Sequence, residues 1–171
     1  MLQPALPNFH FLKDKPLQRL DGGDTVAFVA QVSLFTDNGH TTVKTSPIQR
    51  FILSRDIWNQ TFKVTIPTLT PHDRLGLTLS QAESWCLENI MISAAGVPKD
   101  QPLWLRCVLR TVHQDDLSRV VGDRGISVMS LLEYLSRKPG VSEPEWSVVT
   151  PHPFRLQDLP RQIFGRGSRI G

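Results

Sequence analysis

Three short stretches hold the residue types from which chemistry could be built. His113, Asp115 and Asp116 lie within four residues of each other. Imidazole and carboxylate oxygens together can hold a hard or borderline cation, and His72 could join them, which would suit a metal-assisted hydrolase. Metal sites, however, take their ligands from defined elements. The run HQDD falls in a predicted loop, so a solvated acidic turn accounts for it more simply. Ser54, Arg55 and Asp56 offer a hydroxyl beside charged groups, with Ser54 and Asp56 on one strand face. No histidine or lysine lies nearby in sequence, and no G-x-S-x-G elbow surrounds the serine. A strand end whose Asp56 bonds the turn backbone is the preferred reading. His72-Asp73 and the proline-flanked His152 carry less.

Cys86 and Cys107 lack C-x-x-C partners, which argues against a zinc ribbon or a thioredoxin-type site. Both fall on predicted core faces. A disulfide is geometrically possible if the helix carrying one packs on the strand carrying the other, although two buried thiols are the commoner outcome. Gly122-Asp123-Arg124-Gly125 lacks the spacing and the Lys-Ser/Thr of a phosphate loop and reads as a turn. The residues thus imply no catalytic group and no cofactor.

Charge narrows the partners. The net +3 of the chain equals that of residues 155–171, where Arg155, Arg161, Arg166 and Arg169 face only Asp158, so the preceding residues are neutral. A neutral body with a basic tail lacks the basic face of a nucleic-acid binder. No apolar run reaches the roughly 18 residues of a spanning helix. The opening MLQPALPNFHF has neither the basic nor the apolar part of a secretory signal.

The elements that would position these groups are mostly strands. After a short strand expected at 9–12 and a turn at LDGGD, the stretch TVAFVAQVSLF is apolar on both faces, as in a strand covered on both sides. Asn38-Gly39 marks a hairpin, and the return strand should break at Pro47, which has no N–H for the ladder. It resumes as far as Arg55. TFKVTI alternates, with Phe62, Val64 and Ile66 inward and Thr61, Lys63 and Thr65 outward. Between these strands, DIWNQ is a connection whose Trp58 should cap the end of the core.

TPHDRLG reads as a loop. A helix of about three turns follows, opened by a capping box of Thr78 with Gln81 or of Ser80 with Glu83. Leu79, Ala82, Cys86 and Ile90 lie along its buried stripe, which Trp85 widens. PLWLRCVLRTV is a further strand, and Val128, Leu131, Leu132 and Leu135 outline a second helix. The expectation is one mainly β (α+β) domain over residues 1–140, with its core at 24–112. It is an antiparallel, sandwich-like sheet with one packed helix and a second C-terminal helix. Prolines at 144, 151, 153 and 160 predict an extended arm over 141–171. Trp58, Trp85, Cys86 and Cys107 are the expected structural anchors.

The order of strand, RFILSRDIW, TFKVT strand, AESWCLENI helix and PLWLRCVLR strand resembles a bacterial family of domains without an assigned activity, over roughly residues 24–112. The resemblance implies an exported or envelope-associated protein; a cytoplasmic location is the alternative that the unsignalled opening suggests. The expected function is a non-catalytic binding or interaction module of the cell envelope, with another protein or an envelope component as partner. The rivals are the His113/Asp115/Asp116 hydrolase and a carrier of a small apolar ligand.

Overall fold

The computed structural model describes residues 1–4, 6, 9–37, 40–67, 72–112, 144–159 and 168–170. Strand β2 (Val26–Thr36) is the spine of an open antiparallel sheet. Over Val26–Ala30 it is buried on both faces, as its two-sided apolar pattern requires. Along one edge it pairs with β3 (Thr41–Thr45) and then with β4 (Gln49–Asp56), so the two lie end to end against the same strand. The break between them falls at Pro47. Ser46 bridges it: its N–H donates to Val32 O at 2.8 Å, and its Oγ accepts from Val32 N–H at 3.0 Å. A side chain thus completes the ladder beside a residue with no donor.

From β4 the sheet continues through β5 (Thr61–Ile66) to the edge strand β6 (His72–Leu77). On the other side of β2 lie β7 (Trp104–Thr111) and the opposite edge strand β8 (Glu145–Val149). All these neighbours are antiparallel. The seven strands form one open layer, so the sandwich expectation reduces to a large antiparallel sheet that is not closed. A separate parallel pair joins β1 (Leu2–Pro4) to β9 (Ser168–Ile170).

Helices α1 (Asp14–Asp21) and α2 (Leu79–Glu88) contribute to the core on one face of the sheet, where Phe28, Phe51, Leu53, Val64, Leu105 and Leu109 are buried. The alternation of β5 is as expected: Phe62, Val64 and Ile66 are buried, while Thr61, Lys63 and Thr65 are half-buried on the other face. Of the two possible capping boxes, Thr78 with Gln81 forms. Gln81 N–H donates to Thr78 Oγ1 at 3.3 Å, and Thr78 N–H donates to Gln81 Oε1 at 2.9 Å.

That choice leaves Glu83 pointing inward, where it is 2% exposed. Its Oε1 accepts from the N–H groups of Phe11 and Leu12, both at 2.8 Å, and its Oε2 lies 2.7 Å from His10 Nδ1. One buried carboxylate therefore ties the N-terminal segment to α2. The segment inserts Phe11, fully buried, edge-on against Phe28 with ring centroids 5.0 Å apart.

Several expectations need correction. Residues 9–12 form no strand: the N–H groups of Phe11 and Leu12 serve Glu83, and that of Phe9 donates to Leu6 O at 3.2 Å. The helix α1 is an addition to the expected elements: eight mostly polar residues, too few to be helical alone, form a helix once Pro16 and Leu20 are buried. HDRLGL is a strand rather than a loop, although all of it but Leu77 is exposed. Residues 145–149, expected within an extended arm, add β8 to the sheet, with Pro144 and Pro151 just outside it, where a missing N–H does no harm. The second helix predicted around 128–135 lies outside the described residues. No helix among the described residues is long and apolar enough to cross a membrane.

Candidate functional site

At the far end of β4 and β5 the chain turns through Ile57–Gln60. The turn is held by Asp56, whose Oδ1 accepts from the N–H groups of Trp58 (3.0 Å) and Asn59 (3.2 Å), while Oδ2 accepts from Asn59 Nδ2 (2.7 Å). Bonds from the Asn59 side chain, then from the Asn59 and Trp58 backbone, hold the Asp56 carboxyl below its ordinary range. Gln60 takes a left-handed conformation (φ 54°) to bring the chain back into β5. The expected role of Asp56, bonding the turn backbone, is what the structure shows.

The expected role of Trp58 is not. Instead of capping the core it is 91% exposed, with Ile57 beside it at 56%. The tight Asp56 turn carries both side chains beyond the last rung of the sheet. Just before the turn, Arg55 pairs with Asp21 of α1 and lies 5.3 Å from the centroid of the Phe62 ring.

A third exposed apolar side chain joins them from β6. Phe62 pairs with Leu77 and Val64 with Arg74, so Leu75 and Gly76 together oppose Lys63 alone. This is a bulge with Gly76 at φ +69°, a conformation that suits glycine. It turns Leu75 outward, 69% exposed. Between the bulge and the turn opens a surface cleft of about 370 Å³, lined by Asp56, Asn59, Thr61, Phe62, Lys63, Leu75 and Gly76. Lys63 Nζ bonds Asp73 Oδ2 at 2.9 Å. That contact, with a bond from Thr65, holds Asp73 below the usual carboxylate range.

The register brings Ser54 directly opposite Lys63, a neighbour hidden by nine residues of sequence. No hydrogen bond joins the two among the described residues, and the Lys63 ammonium is engaged by Asp73, so the pair lacks the free base a nucleophilic serine needs. His72 and His152 are exposed and far apart in the fold, on β6 and in the loop after β8. His113, Asp115 and Asp116 lie outside the described residues. Among the described residues no three His, Cys, Asp or Glu side chains group as a metal site.

Trp85 packs half-buried against the core, and Cys86 and Cys107 are buried free thiols. Burial pushes the Cys107 thiol up to about 12, and burial together with the nearby Glu83 charge pushes Cys86 higher still. The bulged corner and the inward Glu83 were missed in the sequence. For Glu83 a signal existed: it is an acid three residues before Cys86, on the apolar stripe of the helix.

No family model, curated protein or solved structure matches the chain.

Proposed function

We propose that the chain is a non-catalytic interaction module that docks through the corner formed by Trp58, Ile57 and Leu75. The observation that carries this reading is the exposure of Trp58 on a turn made rigid by three hydrogen bonds to Asp56. Scattered exposed apolar residues need no explanation. Here three large ones share one corner beside a cleft, and one is a tryptophan, a residue type enriched among binding hot spots, on a backbone turn already held in place. Holding the turn in advance lowers the ordering cost of binding.

The bulge in β6 also bears on the mode of docking. By breaking the edge ladder at Leu75-Gly76 it discourages strand-on-strand addition there, so recognition runs through side chains. The resemblance to an exported bacterial family, resting on the order of elements alone, supports a place in the cell envelope, with a protein or another envelope component as partner.

A photoreactive benzophenone amino acid at position 58, compared with one at Ser147 on the opposite edge strand, tests the reading in the native cells. A discrete adduct formed from position 58 but not from 147 is expected. Equal labelling from both positions, or none from 58, would overturn it.

A further inference from the structure

The corner carries both halves of a joint. Trp58 is a protruding apolar knob at the apex of the turn, and the cleft directly beside it has Phe62 and Leu75 as its apolar lining. We propose that this surface takes a second copy of the chain, the two related by a two-fold axis with each Trp58 seated in the cleft of the other. The inference rests on the interaction reading above and names its partner.

Three observations favour a second copy over another occupant. A patch that holds knob and socket side by side is self-complementary, and a two-fold rotation satisfies both at once and closes the assembly at two. The sizes agree: a cleft of about 370 Å³ is at the small end of ligand-sized pockets, enough for one aromatic side chain. The charges also agree. Asp56, at the base of the knob, and Lys63, paired with Asp73 on the wall of the socket, both line the cleft, so a two-fold contact sets opposite charges of the two copies against each other.

The joint is small. A tryptophan buries on the order of 150–250 Å², so two of them with Ile57 and Leu75 from each copy fall short of the roughly 1,200 Å² at which stable interfaces begin. The dimer is therefore weak and concentration-dependent. The glycine bulge keeps it discrete, because the broken edge cannot extend the sheet from copy to copy.

Sedimentation equilibrium from low micromolar to millimolar protein, on the full chain and on Trp58→Ala, Leu75→Asp and Val149→Ala, tests this. The full chain and Val149→Ala should approach twice the chain mass at the top of the range. Trp58→Ala and Leu75→Asp should remain monomeric with an unchanged unfolding midpoint for Trp58→Ala. A full chain that stays monomeric throughout overturns the inference, as does a Trp58→Ala variant that dimerises like the parent. If the monomer nonetheless yields a position-58 adduct with a different protein, or binds phosphatidylcholine vesicles in a Trp58-dependent way, self-docking fails while the corner remains a docking site. A monomer with no adduct from position 58 sinks both readings.

Discussion

Replacing Glu83 by alanine should be among the most damaging single changes outside the apolar core. The carboxylate, 2% exposed, accepts two backbone N–H groups at 2.8 Å and meets His10 at 2.7 Å. Each hydrogen bond to a charged acceptor contributes about 1.5–3 kcal/mol, and a buried donor left unpaired costs about 1–3 kcal/mol. The loss of two such bonds therefore sets a gross loss of roughly 3–6 kcal/mol. Against it stands the relief of no longer burying a charge, a penalty of a few kcal/mol in real proteins. His10, with a side chain 64% exposed, adds little. The expected net loss is about 1–3 kcal/mol. Glu83→Gln keeps a carbonyl oxygen for the two donors and should lose about half as much, whereas His10→Ala should lose under about 1 kcal/mol. Urea unfolding with an unchanged slope measures all three. The same clamp seats Phe11, so Glu83→Ala and Phe11→Ala should be non-additive, with a coupling of about 0.5–3 kcal/mol. A Glu83→Ala protein within about 0.5 kcal/mol of the parent, or strictly additive with Phe11→Ala, would refute the clamp.

Trp58→Ala should shift stability by no more than about 0.5 kcal/mol, as a surface change does, while Phe11→Ala should cost about 3–5 kcal/mol; denaturation of the pair with equal losses would contradict the exposed turn. Cys86 and Cys107 should resist alkylation in the native protein at neutral pH and react on unfolding, and labelling of either thiol in the folded chain would show that it is not buried. Because the folded Cys107 thiol is raised from 9.0 to about 12, its contribution to stability is fully present below pH 9 and lost as the pH climbs towards 12, so the unfolding midpoint should decline across that interval. Asp56 and Asp73 are depressed, so what they contribute is present above the ordinary value of 3.8 and lost as the pH falls through their lower folded values. The amide resonances of Trp58 and Asn59 should therefore titrate with a midpoint below 3.8, and a midpoint at or above it would deny the Asp56 turn. Ser46→Ala, which removes the acceptor for Val32 N–H, should cost about 1–3 kcal/mol in the same unfolding assay, and a neutral result would mean that the β3–β4 break is bridged otherwise.

Period-two alternation was enough to place the inner face of β5, because a one-residue slip would send Phe62, Val64 and Ile66 into water. The two-sided apolar run of β2 announced a central strand, Pro47 announced the break in its partner, and two candidate capping boxes, Thr78 with Gln81 and Ser80 with Glu83, announced the start of α2 without deciding between them. These are local signals, in which backbone chemistry and burial point the same way. The short and edge elements were illegible for the converse reason. The helix α1 is too short to form without a surface to pack on, and β6 and β8 are edge strands whose ladder bonds come from a neighbour rather than from their own composition. Trp58 shows the limit most clearly. Its size argued for burial, but the Asp56 hydrogen bonds set the path of the turn, and that path carries Trp58 past the end of the sheet. Glu83 lies more than seventy residues along the chain from His10 and Phe11. Only the packing of α2 against the N-terminal segment decides that an acid on an apolar stripe is a clamp. Likewise only the register of β5 against β6 decides that Leu75 stands outside it, because a bulge is a relation between two strands and is written in neither alone.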